Sequence, residues 1–345
     1  MKIINLMATL VATTLFFGVF MTSAVYAEDE MVTLRWASFV SPKSIQNAVS
    51  VPAFAKAVAE ASGGTLKIEH FPGGTLGSSP AQQLSMVENG VADIAEVVVA
   101  YSPGRFPELA TFELPFLAKS NTEAGLAAWK LYEKGLLSDF DDLMLVGIII
   151  SGPYGVSTNK PVKSLADFSG LRLRAAGPIQ NEIVSSLGAV PIGNISAPAI
   201  AESMSRGLID GTLMAPGLIH PFRIADVAEH HLFDLKLGSV AIIFPMRRDT
   251  YEKLPPRAKA AFDEFSGEWI TRKLGEDLDI QEAIAIDRLR SGADQGVVDD
   301  WEDASIEQAK AALTPLLSKY DTKNEKGVNL YRETLSAIEE VRSGN

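Results

Sequence analysis

Arg174 closes the run Leu171-Arg172-Leu173-Arg174, after which the pattern breaks at Ala176-Gly177-Pro178 and a helical spacing resumes. Alternating leucine and arginine reads as an extended segment, so a guanidinium stands at the carboxyl end of an expected strand. In open α/β sheets that end faces the ligand crevice. A planar fork of N–H donors fixed there suits a carboxylate, which can accept two parallel, charge-assisted hydrogen bonds. An arginine on the surface of an edge strand has the same sequence signature, and position alone leaves both readings open. Glu96 is the second residue that stands out, because it interrupts the apolar run Ile94-Ala95-Glu96-Val97-Val98-Val99. A carboxylate in such a run must be paired, protonated or set at the rim of a cleft. The rim is the expectation, with Val98 on the same strand as an apolar lining residue.

Other chemistries are less well supported. Ser157-Thr158-Asn159-Lys160 has the S-x-x-K spacing of serine acyl-enzymes, which works only when the serine opens a helix and the lysine follows one turn later. Pro161 disfavours helix at Lys160, and neither the S-D-N and K-T-G companions nor a G-x-S-x-G elbow is present. Gly73-Gly74-Thr75-Leu76-Gly77 lacks both the Gly-Lys-Ser/Thr ending of a P-loop and the spacing of G-x-G-x-x-G, and reads as a tight turn. The histidines are His70, His220, His230 and His231; on a helix the last two would project about 100° apart and could not clamp a metal from one face. Asp141-Asp142 and Asp299-Asp300 read as solvated charge. With no cysteine, thiol catalysis, thiolate metal sites and iron–sulfur clusters are excluded. No metal ligand or cofactor is expected.

The first 27 residues read as a secretory signal: Lys2 supplies the positive end, Leu6 to Val25 carries no charge, and Val25-Tyr26-Ala27 offers small residues for cleavage. An uncleaved membrane anchor is the rival reading of that run. Removal of Lys2 takes the net charge from −12 to −12 − 1 = −13, which argues against nucleic acid, whose phosphates demand a basic surface. Behind the signal the elements alternate in a βαβ manner, and the length suits two domains. Strands are expected over Thr33 to Ala37, Leu66 to His70, Ala92 to Val99, Leu143 to Ile150, Leu171 to Arg174 and Ile209 to Leu213. Helices are expected over Pro52 to Ala61, Ala81 to Asn89, Asn181 to Leu187 and Pro198 to Arg206. Gly90-Val91-Ala92-Asp93 is echoed by Gly207-Leu208-Ile209-Asp210, so two similar lobes are the simplest reading. The last hundred residues are mostly helical in pattern, with Pro255 to Arg290 as one long helix or a kinked pair. No flexible linker separates the halves, and crossing strands are expected to join them.

Several runs occur in a shared order: Phe71 to Gly77, Gly90 to Asp93, Tyr101-Ser102-Pro103-Gly104-Arg105-Phe106-Pro107, Glu113 to Phe116, Gly170 to Arg174, Leu187-Gly188-Ala189, Gly207 to Gly211, and Tyr251 to Pro255. In that order and spacing the chain resembles the solute-binding proteins of tripartite ATP-independent periplasmic (TRAP) transporters through essentially its whole mature length. The resemblance implies an α/β, two-lobed periplasmic solute-binding protein with crossing hinge strands and a long domain-bridging helix. Residues 1–27 would be the signal peptide, 28–151 with 240–279 the first lobe, and 152–239 with 280–345 the second lobe and C-terminal helices. It further implies a non-enzymatic receptor that closes over a small organic acid and delivers it to the permease subunits of a TRAP transporter, with no nucleic-acid partner.

In that family the arginine at the position of Arg174 usually grips the substrate carboxylate. Where better-known members tend to have a second arginine before that strand, this chain offers Tyr154; where they carry asparagine, it has Met214 and Phe39. The implied pocket is apolar and aromatic with one dominant cation, which fits a monocarboxylate with a hydrophobic or aromatic body, such as a 2-oxo or aryl acid. Core packing is the plain alternative for Tyr154, Phe39 and Met214. An amine held by Glu96, a secreted hydrolase using Ser157 and Lys160, and a receptor for an ATP-driven importer are the other readings.

Overall fold

The computed structural model describes residues 30–344, so the signal segment lies outside the described residues. Twelve short strands form two six-stranded sheets among those residues. In chain order they begin with β1 (Val32–Ala37), β2 (Leu66–Phe71), β3 (Ile94–Ala95), β4 (Val97–Val98), β5 (Leu143–Ser151) and β6 (Gly155–Thr158). They continue with β7 (Arg172–Arg174), β8 (Val190–Ile192), β9 (Gly211–Met214), β10 (His230–Leu232), β11 (Val240–Arg247) and β12 (Val297–Val298). The first sheet has the order β2-β1-β3-β11-β4, with β5 on the other side of β11. The second has the order β12-β10-β6-β9-β7-β8.

The single apolar run expected over Ala92 to Val99 is two strands. Both β3 and β4 pair antiparallel with β11, and the break between them falls at Glu96. There the backbone turns aside, and the Glu96 N–H donates instead to Ala37 O at the end of β1 (3.0 Å). Trp36, fully buried, fixes this wall: its ring packs against Phe54 from the helix Val51–Ala61 and against Phe244 from β11, with centroids 5.4 and 5.1 Å away. Such aromatic pairs add about 0.5–1.5 kcal/mol each beyond the area they bury.

The echoed Gly-x-x-Asp segments do the same work in both halves. Asp93 accepts from the backbone N–H of Arg35 (2.8 Å) and from its Nε (3.0 Å), while Asp210 accepts from the N–H (2.9 Å) and Nε (3.0 Å) of Arg172. In each half the aspartate N–H returns the bond to the arginine carbonyl. The motif is therefore a staple between neighbouring parallel strands, and the repeat read in the sequence is a structural repeat.

The halves are joined as crossing strands would join them. The chain passes from β5 in the first sheet into β6 in the second, and returns from β10 to β11. The two crossings are bonded to each other, Tyr154 N to Gly238 O at 2.7 Å and Leu237 N to Tyr154 O at 2.8 Å. The long helical stretch is the kinked pair: Pro256–Phe265, then Glu268–Arg290. Gly267 makes the corner at φ 73°, and a Cβ there would lie 2.5 Å from the Trp129 ring. Helix Glu268–Arg290 packs on β5 and on helix Asn121–Glu133, then runs on to touch the turn Pro216–Leu218 and β12 of the second sheet. Its Gln281 side chain ties the two halves, accepting from Ile45 N (2.9 Å) and donating to Gly217 O (2.6 Å). Of the terminal helices, Asp303–Tyr320 packs on Pro178–Ser186, and Leu330–Ser343 on Asn121–Glu133. Among the described residues no helix is long and apolar enough to cross a membrane.

Candidate ligand-binding site

One cavity lies between the two sheets, and it holds about 480 Å³ of space free of protein atoms, its mouth included. Arg174, Tyr154, Phe39, Glu96, Val98 and Met214 all line it. Strand ends explain the convergence. Arg174 and Met214 are the last residues of β7 and β9, Val98 is the last of β4, and Phe39 lies just beyond β1. The cavity thus occupies the crevice at the carboxyl ends of strands, where open α/β sheets place ligands.

Arg174 is only 1% exposed, and β7 is an interior strand between β9 and β8, which overturns the edge-strand reading. Its Nε donates to Ile195 O (2.9 Å) and its Nη2 to the Tyr101 hydroxyl (2.8 Å). Two of the five N–H donors of the guanidinium are used in this way, and three remain. Among the described residues no carboxylate pairs with it. Its neighbour Arg172, on the same strand face, is by contrast committed to Asp210 through Nη2 at 2.9 Å. A buried guanidinium without a counter-charge is costly unless something completes it.

Tyr101 comes from the first half and meets Arg174 from the second. Its oxygen accepts from Arg174 Nη2 and from Ala197 N (3.0 Å), which fills both acceptor positions and leaves the hydroxyl proton for another partner. Close approach makes this contact possible: a Cβ on Gly177 would lie 2.8 Å from Ala100 Cβ, beside Tyr101. Tyr154 is buried, and burial foremost pushes its phenol well above the usual value, with Arg174 pulling the other way, so it is a neutral hydroxyl. Ser151 Oγ faces Tyr154 and lines the cavity but makes no hydrogen bond of normal geometry.

Glu96 is not at a rim. It is 1% exposed and forms part of the cavity wall, because the strand break turns its side chain inward and the sheet covers its flanks. Burial raises its pKa to about 7, against hydrogen bonding from Ser38 and the approach of Gln46. Neighbouring donors fix the direction of these bonds. Ser38 Oγ accepts from Asn47 Nδ2 (3.0 Å) and Val40 N (3.2 Å), so its own proton goes to Glu96 Oε2. Gln46, on a single π-helical turn (Gln46–Ser50), sits close enough to favour the ionised form, yet its buried Nε2 makes no hydrogen bond of normal geometry.

Tyr101, Gln46 and Ser151 were not singled out in the sequence. For Gln46 the available signal was a polar stretch, Gln46, Asn47 and Ser50, on the buried side of a helix start. Tyr101 lay within a recognised run whose charged member, Arg105, serves Glu88 (2.8 Å) and Asp139 (3.3 Å) away from the cavity. Ser157 lies on strand β6, not at a helix start, and Lys160 lies exposed beyond that strand, so the S-x-x-K geometry does not form. Ser157 Oγ instead meets His231 Nδ1 at 2.9 Å, both residues fully buried and outside the cavity lining. Burial drives the His231 pKa down to about 4, so the ring is neutral. His230 and His231 are on β10 rather than a helix, and Asp299, expected as solvated charge, bonds His230 Nδ1 at 3.1 Å. Among the described residues no cluster of histidine and carboxylate groups is placed to hold a metal ion.

Two α/β sheets facing one buried cationic cavity, joined by crossing strands and a spanning helix, define a two-lobed solute-binding protein. Residues 37–323 match the bacterial extracellular solute-binding proteins of family 7 (DctP), and the chain belongs to that family of TRAP solute-binding proteins. It is similar to a marine metagenome TRAP solute-binding protein specific for aromatic acid ligands, solved with 3-hydroxybenzoate: TM-score 0.83, 26% identity, 90% of this chain and 99% of that one. A TRAP solute-binding protein of Bordetella bronchiseptica with bound (R)- and (S)-mandelate gives a TM-score of 0.80 at 26% identity, over 91% of this chain and all of that one. In sequence it is 28% identical over 218 residues to a monocarboxylate 2-oxoacid-binding periplasmic protein of Nostoc sp., covering 61% of this chain and 58% of that one. The match spans about 60% of the length of that relative and of two others in sequence.

Proposed function

We propose that this chain is a periplasmic receptor, not an enzyme, that binds a small organic acid and passes it to the permease subunits of a TRAP transporter. The acid is a monocarboxylate with an aromatic or otherwise apolar body. One observation carries the reading: Arg174 is buried in the cavity with three free N–H donors and no carboxylate partner. A ligand carboxylate supplies the missing charge and accepts from that fork. Phe39, Val98, Met214 and Phe222 give the remainder of the ligand an apolar bed. A second carboxylate would meet no further cation there, which disfavours dicarboxylates. The acids bound by the metagenomic and Bordetella relatives are of the same class.

The halves around each sheet act as lobes, divided at residues 151/152, 239/240 and 279/280, and closure follows from the ligand's preference for the closed arrangement. Glu96 gives an amine ligand some support, since a carboxylate in the wall could accept from an ammonium. A thermal-shift screen of residues 28–345 against aryl acids, 2-oxo acids, dicarboxylates, sugar acids and amines tests the reading. Aryl or oxo monocarboxylates should raise the melting temperature, with ligand at about 100 times Kd adding roughly 2.7 kcal/mol. A shift produced by amines alone would overturn it.

A further inference from the structure

We propose that Glu96 and Gln46 form a subsite that reads a hydroxyl group on the body of the ligand, so that the preferred substrates are hydroxy acids. This rests on the acid-binding reading above and deepens it. Both side chains line the cavity, Glu96 from the break between β3 and β4 of the first sheet and Gln46 from the π-helical turn that follows β1, whereas Arg174 comes from β7 of the second sheet. Both are more than nine-tenths buried, at 1% and 3% exposure.

The hydrogen-bonding directions are over-determined. Asn47 Nδ2 donates to Val40 O (2.9 Å) and to Ser38 Oγ (3.0 Å), which leaves Asn47 Oδ1 to accept from His70 Nε2 (3.1 Å). With both its acceptor positions taken, Ser38 donates to Glu96 Oε2. Oε2 is therefore an acceptor in every protonation state, and Oε1 is the oxygen left for the cavity. Gln46 Nε2 stands near that carboxylate as an unsatisfied donor.

The group that completes this pair must donate to an oxygen and accept from a nitrogen at one atom. A hydroxyl does both. An ammonium donates only and leaves Gln46 unsatisfied. A second carboxylate or a methoxy oxygen accepts only, and leaves Oε1 of an ionised Glu96 without a donor. A hydroxyl also suits a protonated Glu96, because it can then accept from Oε1–H. An ordered water is the one other occupant with the right valence, and it would gain nothing for a substituted ligand.

Matched ligands test this on the unaltered protein. Calorimetric titration would compare benzoate with 2-, 3- and 4-hydroxybenzoate, mandelate, and the methoxy analogue of whichever binds best. With Glu96 ionised, above pH 7, at least one hydroxy acid should bind roughly ten- to hundredfold tighter than its unsubstituted parent, and the methoxy analogue should lose that gain. In Gln46→Leu and Glu96→Gln the ratio of hydroxy-acid to parent-acid affinity should shrink toward one. Equal affinity for hydroxylated and parent acids, or an advantage that survives both substitutions, overturns the subsite and leaves the acid reading intact. If no acid binds at all, both fall.

Discussion

Arg174→Met separates a ligand clamp from a structural arginine, because the two roles predict opposite effects on the ligand-free protein. The native guanidinium makes hydrogen bonds to Ile195 O and Tyr101 and has no counter-charge. Removing one partner of a buried ion pair costs about 3–5 kcal/mol, since the other charge is stranded. Here no charge is stranded. Loss of two hydrogen bonds, each about 1–3 kcal/mol when a buried partner is left unsatisfied, is set against relief of desolvating an unpaired cation, which is several kcal/mol. Methionine is unbranched and adaptable enough to fill the vacated path. The ligand-free variant should therefore melt no lower than the parent. Binding should behave differently. If the carboxylate takes two of the three free donors at about 1.5–3 kcal/mol each, affinity falls by roughly 10²- to 10⁴-fold. At a ligand concentration that stabilises the parent by about 2.7 kcal/mol, a hundredfold weaker variant gains only about 0.4 kcal/mol. Differential scanning fluorimetry with and without 3-hydroxybenzoate, backed by calorimetric titration, reads both quantities. A variant that melts several degrees lower yet keeps its ligand-induced shift would refute the argument.

Tyr101→Phe removes the acceptor shared by Arg174 and Ala197 and the hydroxyl proton left over, so affinity should fall by roughly ten- to a hundredfold; X-ray scattering should show the ligand-free protein more extended than the parent, and unchanged scattering would argue against a bond that holds the halves together. Burial raises Glu96 and Glu113 to about 7 and Glu282 to about 8, from the usual 4.5. The folded protein then binds more protons than the unfolded chain between pH 4.5 and those values, so stability should fall as pH rises through that window and level off above it. For Glu96 alone the fall is on the order of 3 kcal/mol, and Glu96→Gln should flatten the denaturation profile by about that much. Ser157→Ala should leave ligand affinity unchanged and lower the melting temperature by a few degrees, because His231 Nδ1 loses its partner; labelling of Ser157 by a covalent serine probe would revive the hydrolase reading.

How much of this was legible in the sequence depended on whether the cause was local. Arg174 could be read because alternation with leucine fixes a strand and the break after it fixes its end. The helical character of the last hundred residues was legible from apolar spacing, which left one long helix or a kinked pair open; the corner at Gly267, set by its packing on Trp129, decides for the pair. Glu96 was legible as an anomaly but not in its depth, since its burial depends on β11 and β1 closing over it from distant parts of the chain. The histidine pair had no legible element, because two adjacent residues carry no period, and it lies on β10. Tyr101, Gln46 and Ser151 escaped for a tertiary reason: each matters only through a side chain from elsewhere in the chain, and nothing in a tyrosine after an apolar run says that an arginine 73 residues on will meet it.

The repeated staple shows where function enters an otherwise even-handed architecture. Arg35 and Arg172 hold the same place in their halves, each gripped by its Asp through backbone N–H and Nε. Two residues farther along the same strand face, the first half has Ala37 and the second has Arg174. Alanine leaves room for the chain at Glu96 to approach, and the Ala37 carbonyl receives the Glu96 N–H. Arginine at the matching position fills its space with a cation that the fold does not neutralise. The staples thus set two equivalent strand ends against one cavity, and the residue two places beyond each decides its chemistry: an inward-turned carboxylate on one wall, a guanidinium on the other. Because the two groups sit on different sheets and form no ion pair with each other, a molecule that is anionic at one point and a hydrogen-bond donor at another can satisfy both only when the walls are together. Under the proposed reading, ligand chemistry and closure are one requirement, and exchanging Ala37 or Arg174 should affect both at once.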